Sequence, residues 1–282
     1  MQAQIDKSFD LKQLNKYSLG LKIGGDFFSA NVLKVKSNTH LAVTEQKFST
    51  SRSDEFPTSN FVDALKSCPV KVSKKYGEVS IAIANKLFSV VPKALFSEKN
   101  LEYYISLNTQ PEGEFDIKYQ VIDDAGVVIC FILSKKLNDW INKVFPNAKI
   151  THEISVLIQS VLRDFHSLSE DRLLLNISNN YLDVIQLKKG KLNFVNSFLY
   201  NSKEDLLYYT LYACEQLGID PHEIETFMLG EIQKGSEEHL LLFQYIKNIH
   251  FGSRNKNIKL ASGLNGLPNH YFYSLFNQHL CV

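Results

Sequence analysis

The chain has 282 residues, of which 44% are hydrophobic and 22% charged, with 31 Lys and Arg against 30 Asp and Glu. A length of this order suits two domains and buries enough apolar surface to need no disulfide or metal staple. The net charge of +1 argues against a nucleic-acid protein, which carries a basic excess or stripe; the densest basic cluster, Lys66, Lys71, Lys74 and Lys75, reads as a solvated loop.

The opening residues, MQAQIDKSFDLKQ, mix charge with single apolar residues and lack the continuous apolar core of a signal peptide. No run approaches the ~20 apolar residues of a membrane span. Residues 19–25, 28–35 and 41–48 read as three strands of a meander, the first two joined through Gly24-Gly25-Asp26. Residues 58–67 read as a helix with Thr58 or Ser59 as N-cap, and 79–84 as a buried strand. Ser97 is expected to open a helix with Glu98 in its first turn. Residues 115–122 and 127–133 form a hairpin across Asp123-Asp124-Ala125-Gly126. Helices follow at 134–144, stopped by Pro146, and at 153–166.

The pattern then returns. Residues 172–178, 182–188 and 191–198 read as strands, with Lys189-Gly190 as a tight turn. Ser202 caps a helix at 203–217 that Gly218 ends. A short strand at 226–230 and a helix at 236–247 come next, and the stretch from Pro268 to about His279 reads as a helix. A meander followed by a helix and a strand thus occurs twice, about 150 residues apart, the mark of an internal duplication. Two related α/β halves would frame a cleft, a favoured place for ligands.

Chemical motifs are sparse. The sequence contains no GxxxxGK[ST], GxGxxG, HExxH or GxSxG pattern. Cys68, Cys130, Cys214 and Cys281 are far apart and read as reduced, mostly buried thiols of a cytoplasmic protein. His270 and His279, nine apart, would lie on opposite sides of a helix, and His279 with Cys281 is too isolated for a metal site. The C-terminal Tyr271, Phe272, Tyr273, Leu275 and Phe276 read as core packing, because no Lys or Arg follows Lys259 to make a membrane-surface helix.

Particular segments carry a resemblance. LGLKIGGDFFSANVL is similar to the first phosphate-binding hairpin of the actin-like ATPase superfamily, and RLLLNISNNYLDVIQLKKGKLNF to the second. FMLGEI resembles the strand and turn that close over adenosine, and residues 92–153 resemble the pilus-assembly branch. The whole chain, including HYFYSLFNQHLCV, also resembles a bacterial family of uncharacterised function with an actin-like fold. The resemblance implies a mixed α/β, duplicated actin-like (RNase H-like) fold with two domains and an interdomain cleft. The domains would span 1–150, with a helix-hairpin-helix insert at about 92–150, and 151–282.

The resemblance also places a nucleotide site, and this chain departs from it. Where active members have Asp-hydrophobic-Gly in the first hairpin, Lys22-Ile23-Gly24 stands here; in the second, Asn176-Ile177-Ser178; in the adenosine turn, Gly230-Glu231 replaces a glycine pair. Phosphoryl transfer rests on magnesium held by hard anionic oxygens. A Lys repels the metal, an Asn has no charge, Ser178 crowds a phosphate approach that Gly permits best, and Glu231 opposes a polyanion. The residues of this degenerate cleft are Lys22, Gly24, Gly25, Asp26, Asn176, Ser178, Asn179, Gly230 and Glu231, with no catalytic or metal-ligating residue among them. Strand alternation puts Lys22 opposite Leu19, Leu21 and Ile23, and the cost of burying an unpaired ammonium points it into an open, wet cleft. The bland alternative puts Lys22 at a sheet edge and makes Asn176 a turn cap.

The expected function is a non-catalytic scaffold or adaptor that binds an unidentified protein, through the 92–150 insert, without a cofactor. In the pilus branch it resembles, the cytoplasmic scaffold binds a short tail of a membrane protein, and a hairpin edge could add a strand in that manner. Two alternatives stay open: an ATP-binding enzyme whose metal site is displaced to Asp26, Asp183 or Glu231, and a sensor that holds an anion or nucleotide at Lys22, Gly24 and Gly25 without turnover. Neither nucleic acid nor direct membrane insertion is expected, and a homodimer is left open.

Overall fold

The computed structural model describes residues 3–48, 59–109 and 113–281. In chain order the strands are β1 (Gln4–Ile5), β2 (Tyr17–Ile23), β3 (Phe27–Lys34), β4 (Thr39–Lys47), β5 (Glu78–Ile83), β6 (Phe88–Pro92), β7 (Phe115–Ile122), β8 (Val127–Ser134), β9 (Lys149–His152), β10 (Arg172–Ser178), β11 (Tyr181–Lys188), β12 (Lys191–Leu199), β13 (Glu225–Gly230), β14 (Ile249–Phe251) and β15 (Lys259–Leu260). The helices are α1 (Ser59–Ser67), α2 (Leu101–Ser106), α3 (Lys135–Val144), α4 (Glu153–Asp164), α5 (Lys203–Leu217), α6 (Glu237–Tyr245) and α7 (Tyr273–Asn277). None is long and apolar enough to cross a membrane.

The chain forms two units. One gathers the described residues of Met1–Val156, Lys256–Leu267 and Ser274–Val282; the other gathers Leu157–Asn255 and Pro268–Tyr273. The main sheet of the first runs β1-β4-β3-β2-β5-β9, with β15 also on β4. The sheet of the second runs β12-β11-β10-β13-β14. Each contains an antiparallel meander whose first strand pairs in parallel with the next strand along the chain, β2 with β5 and β10 with β13. A register shift falls at Val32/Leu33 in β3 and at Gln186/Leu187 in β11, the same distance beyond each hairpin turn. A bulge kept in place twice is a feature of a repeated unit.

A separate sheet, β6-β8-β7, lies within residues 88–134 of the first unit. Val91, Tyr104, Ile105, Val128, Cys130 and Ile132 make its core. The β7–β8 turn closes on Gly126, whose φ of 65° suits a residue without a side chain. In the second unit, Leu173, Leu175 and Ile177 on alternate positions of β10 pack with Leu206, Ala213 and Leu242 from α5 and α6.

Helix ends follow the sequence signals closely. Ser134, Ser202 and Ser236 each accept a backbone N–H in the first turn of α3, α5 and α6. Gly218 ends α5 in the left-handed region. Ser97 opens a helical stretch with Glu98 in its first turn, as expected; it starts as a 3-10 turn at Glu98–Asn100 that leads straight into α2, without a side-chain cap bond from Ser97. One expectation needs correction. The stretch from Pro268 to His279 is not one helix. Phe272 adopts a φ of 53°, a conformation no helix contains, so only α7 and a 3-10 turn at Gln278–Leu280 follow it. Phe272, Tyr273, Leu275 and Phe276 are buried, in line with core packing. The four cysteines are buried free thiols. Thr58 lies outside the described residues.

Candidate functional site

In the first unit β2 lies between β3 and β5, so neither of its edges is free, and every residue along it is buried. Leu19, Leu21 and Ile23 fill one face, and Lys22, 1% exposed, points to the other. Its ammonium donates to Glu153 Oε1 at 3.3 Å and lies 5.6 Å from the centroid of the Phe27 ring. The Ser274 hydroxyl donates to the same carboxylate oxygen at 2.7 Å. Two opposite charges are therefore enclosed together, which offsets a desolvation cost neither could bear alone. Lys22 faces neither an open, wet cleft nor a sheet edge. The counter-charge that permits its burial comes from the first turn of α4, where a carboxylate is also favoured by the helix dipole.

His152 prepares that helix start. Its Nδ1 accepts from Ile154 N at 3.2 Å, so its Nε2 carries the proton and faces Asn85 Oδ1 at 3.3 Å. Burial pushes the imidazole pKa down to about 3, partly offset by the hydrogen bond at Asn85. The neutral ring caps α4 between Phe88 and Phe131.

The glycine turn has its own explanation. A Cβ on Gly24 would lie 2.1 Å from Phe27 Cε1, and Gly24 N donates to Phe27 O at 2.9 Å. Gly24 is thus required by an aromatic ring folded against it. Gly25 and Asp26 are exposed, a Cβ on Gly25 would meet open space, and the Asp26 carbonyl accepts from Phe48 N at 2.8 Å. The segment after Ser274 continues along the face that carries Lys22: Asn31 Nδ2 donates to Leu275 O at 2.6 Å, and Gln278 Nε2 to Leu21 O at 3.2 Å.

In the second unit Asn176, Asp183 and Ser197 stand opposite one another across β10, β11 and β12. Asn176 Nδ2 donates to Asp183 Oδ2 at 2.8 Å, and the Ser197 hydroxyl donates to Asp183 Oδ1. Asn176 is therefore the start of a buried polar row in mid-strand, not a turn cap. The β10–β11 turn is made by Asn179 and Asn180, both left-handed at φ 46° and 58°, the conformation a two-residue hairpin turn demands. Ser178 is buried at the end of β10, opposite Tyr181.

Gly230 has a φ of 86°, and a Cβ there would lie 2.2 Å from the Ile177 carbonyl oxygen. That oxygen accepts from Glu231 N at 2.7 Å, while Gly230 N donates to His270 O at 2.9 Å. Glu231 is half-buried, and its charge adds to burial in raising the Tyr271 pKa. Burial lowers the pKa of His270, whose Nε2 faces Ile232 O at 2.8 Å.

The structure thus joins Lys22, Gly24, Gly25 and Asp26 in one hairpin, and ties Asn176 and Ser178 through Ile177 to Gly230 and Glu231. Sequence reasoning missed Glu153, Phe27, Ser274 and Ser197. The available signal was the cost of burying Lys22, which calls for an acidic partner. Among the described residues no group of three His, Cys, Asp or Glu side chains could hold a metal ion.

The profile of a family described as protein of unknown function (DUF3822) matches residues 6–249. The chain belongs to that family. It is similar to a solved Bacteroides thetaiotaomicron protein with an actin-like ATPase fold and unknown function, at 22% identity and a TM-score of 0.76 over 86% of this chain and 93% of that one. It is also similar to a chain of the PilM-PilN type IV pilus biogenesis complex, at 11% identity and a TM-score of 0.62 over 93% of this chain and 97% of that one. No curated protein matches the sequence. The fold of this DUF3822 member is therefore the actin-like ATPase fold.

Proposed function

We propose that this protein is a non-catalytic scaffold or adaptor in which the nucleotide site of the actin-like fold is degenerate. The observation that carries the reading is the buried pair of Lys22 and Glu153. Magnesium seeks hard anionic oxygens with water around them. In the first hairpin the corresponding position holds a cation, and the acidic group that faces it is already matched by that cation and by Ser274. The Phe27 ring occupies the flank of Gly24. In the second hairpin the Asp183 carboxylate is engaged by Asn176 and Ser197. These donors do not fit a magnesium nucleotide.

Protein binding is the complementary half of the reading. β7 is an edge strand of the insert sheet, and Phe115, Tyr119 and Val121 along it are each more than a third exposed. An edge with free backbone groups and apolar side chains suits an extended apolar peptide that adds a strand.

Calorimetric titration of ATP and ADP, with magnesium and with a chelator, tests the proposal. The expected outcome is no saturable heat and no melting shift in either condition. Magnesium-dependent binding lost in Asp26→Ala or Asp183→Ala would replace the scaffold with the enzyme reading. Binding that survives the chelator would replace it with a sensor.

A further inference from the structure

A cavity of about 260 Å³ opens in the first unit at the N-terminal ends of β5 and β9. It lies at the Ser18 end of β2, roughly 20 Å from the Gly24 turn at ~3.3 Å per strand residue. It is therefore separate from the hairpin site described above and independent of the scaffold reading.

Sheet register builds its floor. Ser18 stands opposite Glu78, and Ser80 opposite Lys149, so all four point to one face of the sheet. Ser18 and Ser80 are 6% and 7% exposed and line the cavity. Ser80 Oγ accepts from the buried Gln278 Nε2 at 3.0 Å, which leaves its own O–H to donate. The Ser18 hydroxyl has no hydrogen-bond partner among the described residues.

The walls are fixed without a ligand. Gly77 N donates to Tyr17 O at 3.0 Å, and a Cβ on Gly77 would lie 2.6 Å from Asn15 O, so this loop is pressed against the chain before β2. The Tyr76 hydroxyl holds Val70 O. The opposite wall, Phe145 and Pro146, is closed by Ala148 N donating to Phe145 O at 3.0 Å. Lys74 comes from the cluster that sequence alone reads as solvated. It shares this cavity with Lys149, and neither ammonium has an ion-pair partner among the described residues. Glu78 adds one negative charge, so these three side chains carry a net +1.

We infer that this cavity binds a small organic monoanion, a carboxylic acid with a short apolar body. Its carboxylate accepts from Lys74, Lys149 and the Ser18 and Ser80 hydroxyls, and its chain rests on Phe145 and Pro146. The volume lies just below the range of drug-sized sites, which fits a ligand of metabolite size. The single positive balance suits a monoanion better than a phosphate dianion, because Glu78 stands beside the second charge.

The test is an amide-shift titration of the full chain with hexanoate, with hexanol and inorganic phosphate as comparison probes. Hexanoate is expected to give saturable shifts confined to Ser18 and residues 74–80 and 145–149. Lys74→Ala/Lys149→Ala, altered only at exposed positions that leave the fold intact, should weaken binding about tenfold or more, the loss of charge-assisted hydrogen bonds. No saturable hexanoate shift, or unchanged affinity in the double variant, would overturn the site. Equal binding of hexanol would remove the anion from the inference, and phosphate binding in place of hexanoate would overturn the ligand class.

Discussion

The two meanders share strand order, parallel partner and even the place of the bulge, yet they treat the equivalent central position in opposite ways. Lys22 on β2 is a full charge enclosed with a full counter-charge from α4. Asn176 on β10 is a neutral amide in a row of hydrogen bonds that ends on one carboxylate. The partner of Lys22 lies 131 residues away in sequence, whereas Asn176 and Asp183 face each other across one hairpin. A duplicated frame therefore fixes where a polar side chain stands, and the surrounding chain decides what chemistry it meets. The first solution depends on long-range packing, and the second is completed within its own sheet.

The comparison breaks most sharply at the ion pair. Glu153→Leu leaves the Lys22 charge buried without its carboxylate, an expected loss of about 3–5 kcal/mol in denaturant unfolding. Adding Lys22→Met in the same chain should recover most of that loss, since the pair as a whole is close to neutral in stability. In the second hairpin Ser197→Ala removes one of two donors to Asp183 and should cost only about 1 kcal/mol. Equal losses in the two hairpins would erase the distinction drawn between them.

The glycines sharpen the contrast at a smaller scale. Gly230→Ala forces a side chain into the Ile177 backbone at positive φ, and should cost roughly 2–4 kcal/mol. Gly25→Ala meets open space and should stay within about 0.5 kcal/mol. A thermal-melt comparison decides whether the glycines of the resembled nucleotide site are held by packing, as Gly230 is, or are free, as Gly25 is.

The last test is in pH. The pKa of His152 falls from its ordinary 6.5 to about 3 on folding. The unfolded chain takes up this proton first, so the contribution is complete above pH 6.5 and declines as pH falls toward 3, by no more than about 1.4 kcal/mol per unit. His239 and His270 are also held down by burial, so the wild-type slope is shared, and the difference from His152→Asn isolates the cap. Asn can accept from Ile154 N without titrating. Asp6 stays out of this window. Hydrogen bonds from Ser8 and Gly263 hold its carboxyl below the usual 3.8, so its contribution is lost only at lower pH. An identical slope in the variant between pH 6.5 and 4 would count against a neutral, capping His152.

Much of this architecture was legible in the sequence because it is local. Alternation in 19–24 and 173–178, the Ser202 cap, Gly218 and the Asp123–Gly126 turn each depend on neighbours within a few residues. β1, β6, β9, β14 and β15 were missed, and they have two to five residues each, too few for a period to appear. At the candidate site the residue types were read correctly and their surroundings were not. Nothing near Lys22 in sequence announces Glu153, and Gly24 resembles a phosphate-binding glycine although Phe27 supplies the steric reason for it. The break at Phe272 was hidden for a related cause. Pro268 to His279 reads as one helix, but tertiary packing sets one left-handed residue, Phe272, in its midst.

The clamp at Asp6 has a consequence for biosynthesis. Its carboxylate accepts from Ser262 Oγ at 3.0 Å and Gly263 N at 2.8 Å, and β15 pairs with β4 from the far end of the chain. Strand β4 leaves the ribosome more than two hundred residues before β15. Loop closure over such separations is slow, and a nascent chain folds in the order in which it appears. The Thr39–His40 stretch of β4 thus stays without its β15 partner until residues 259–260 have been made.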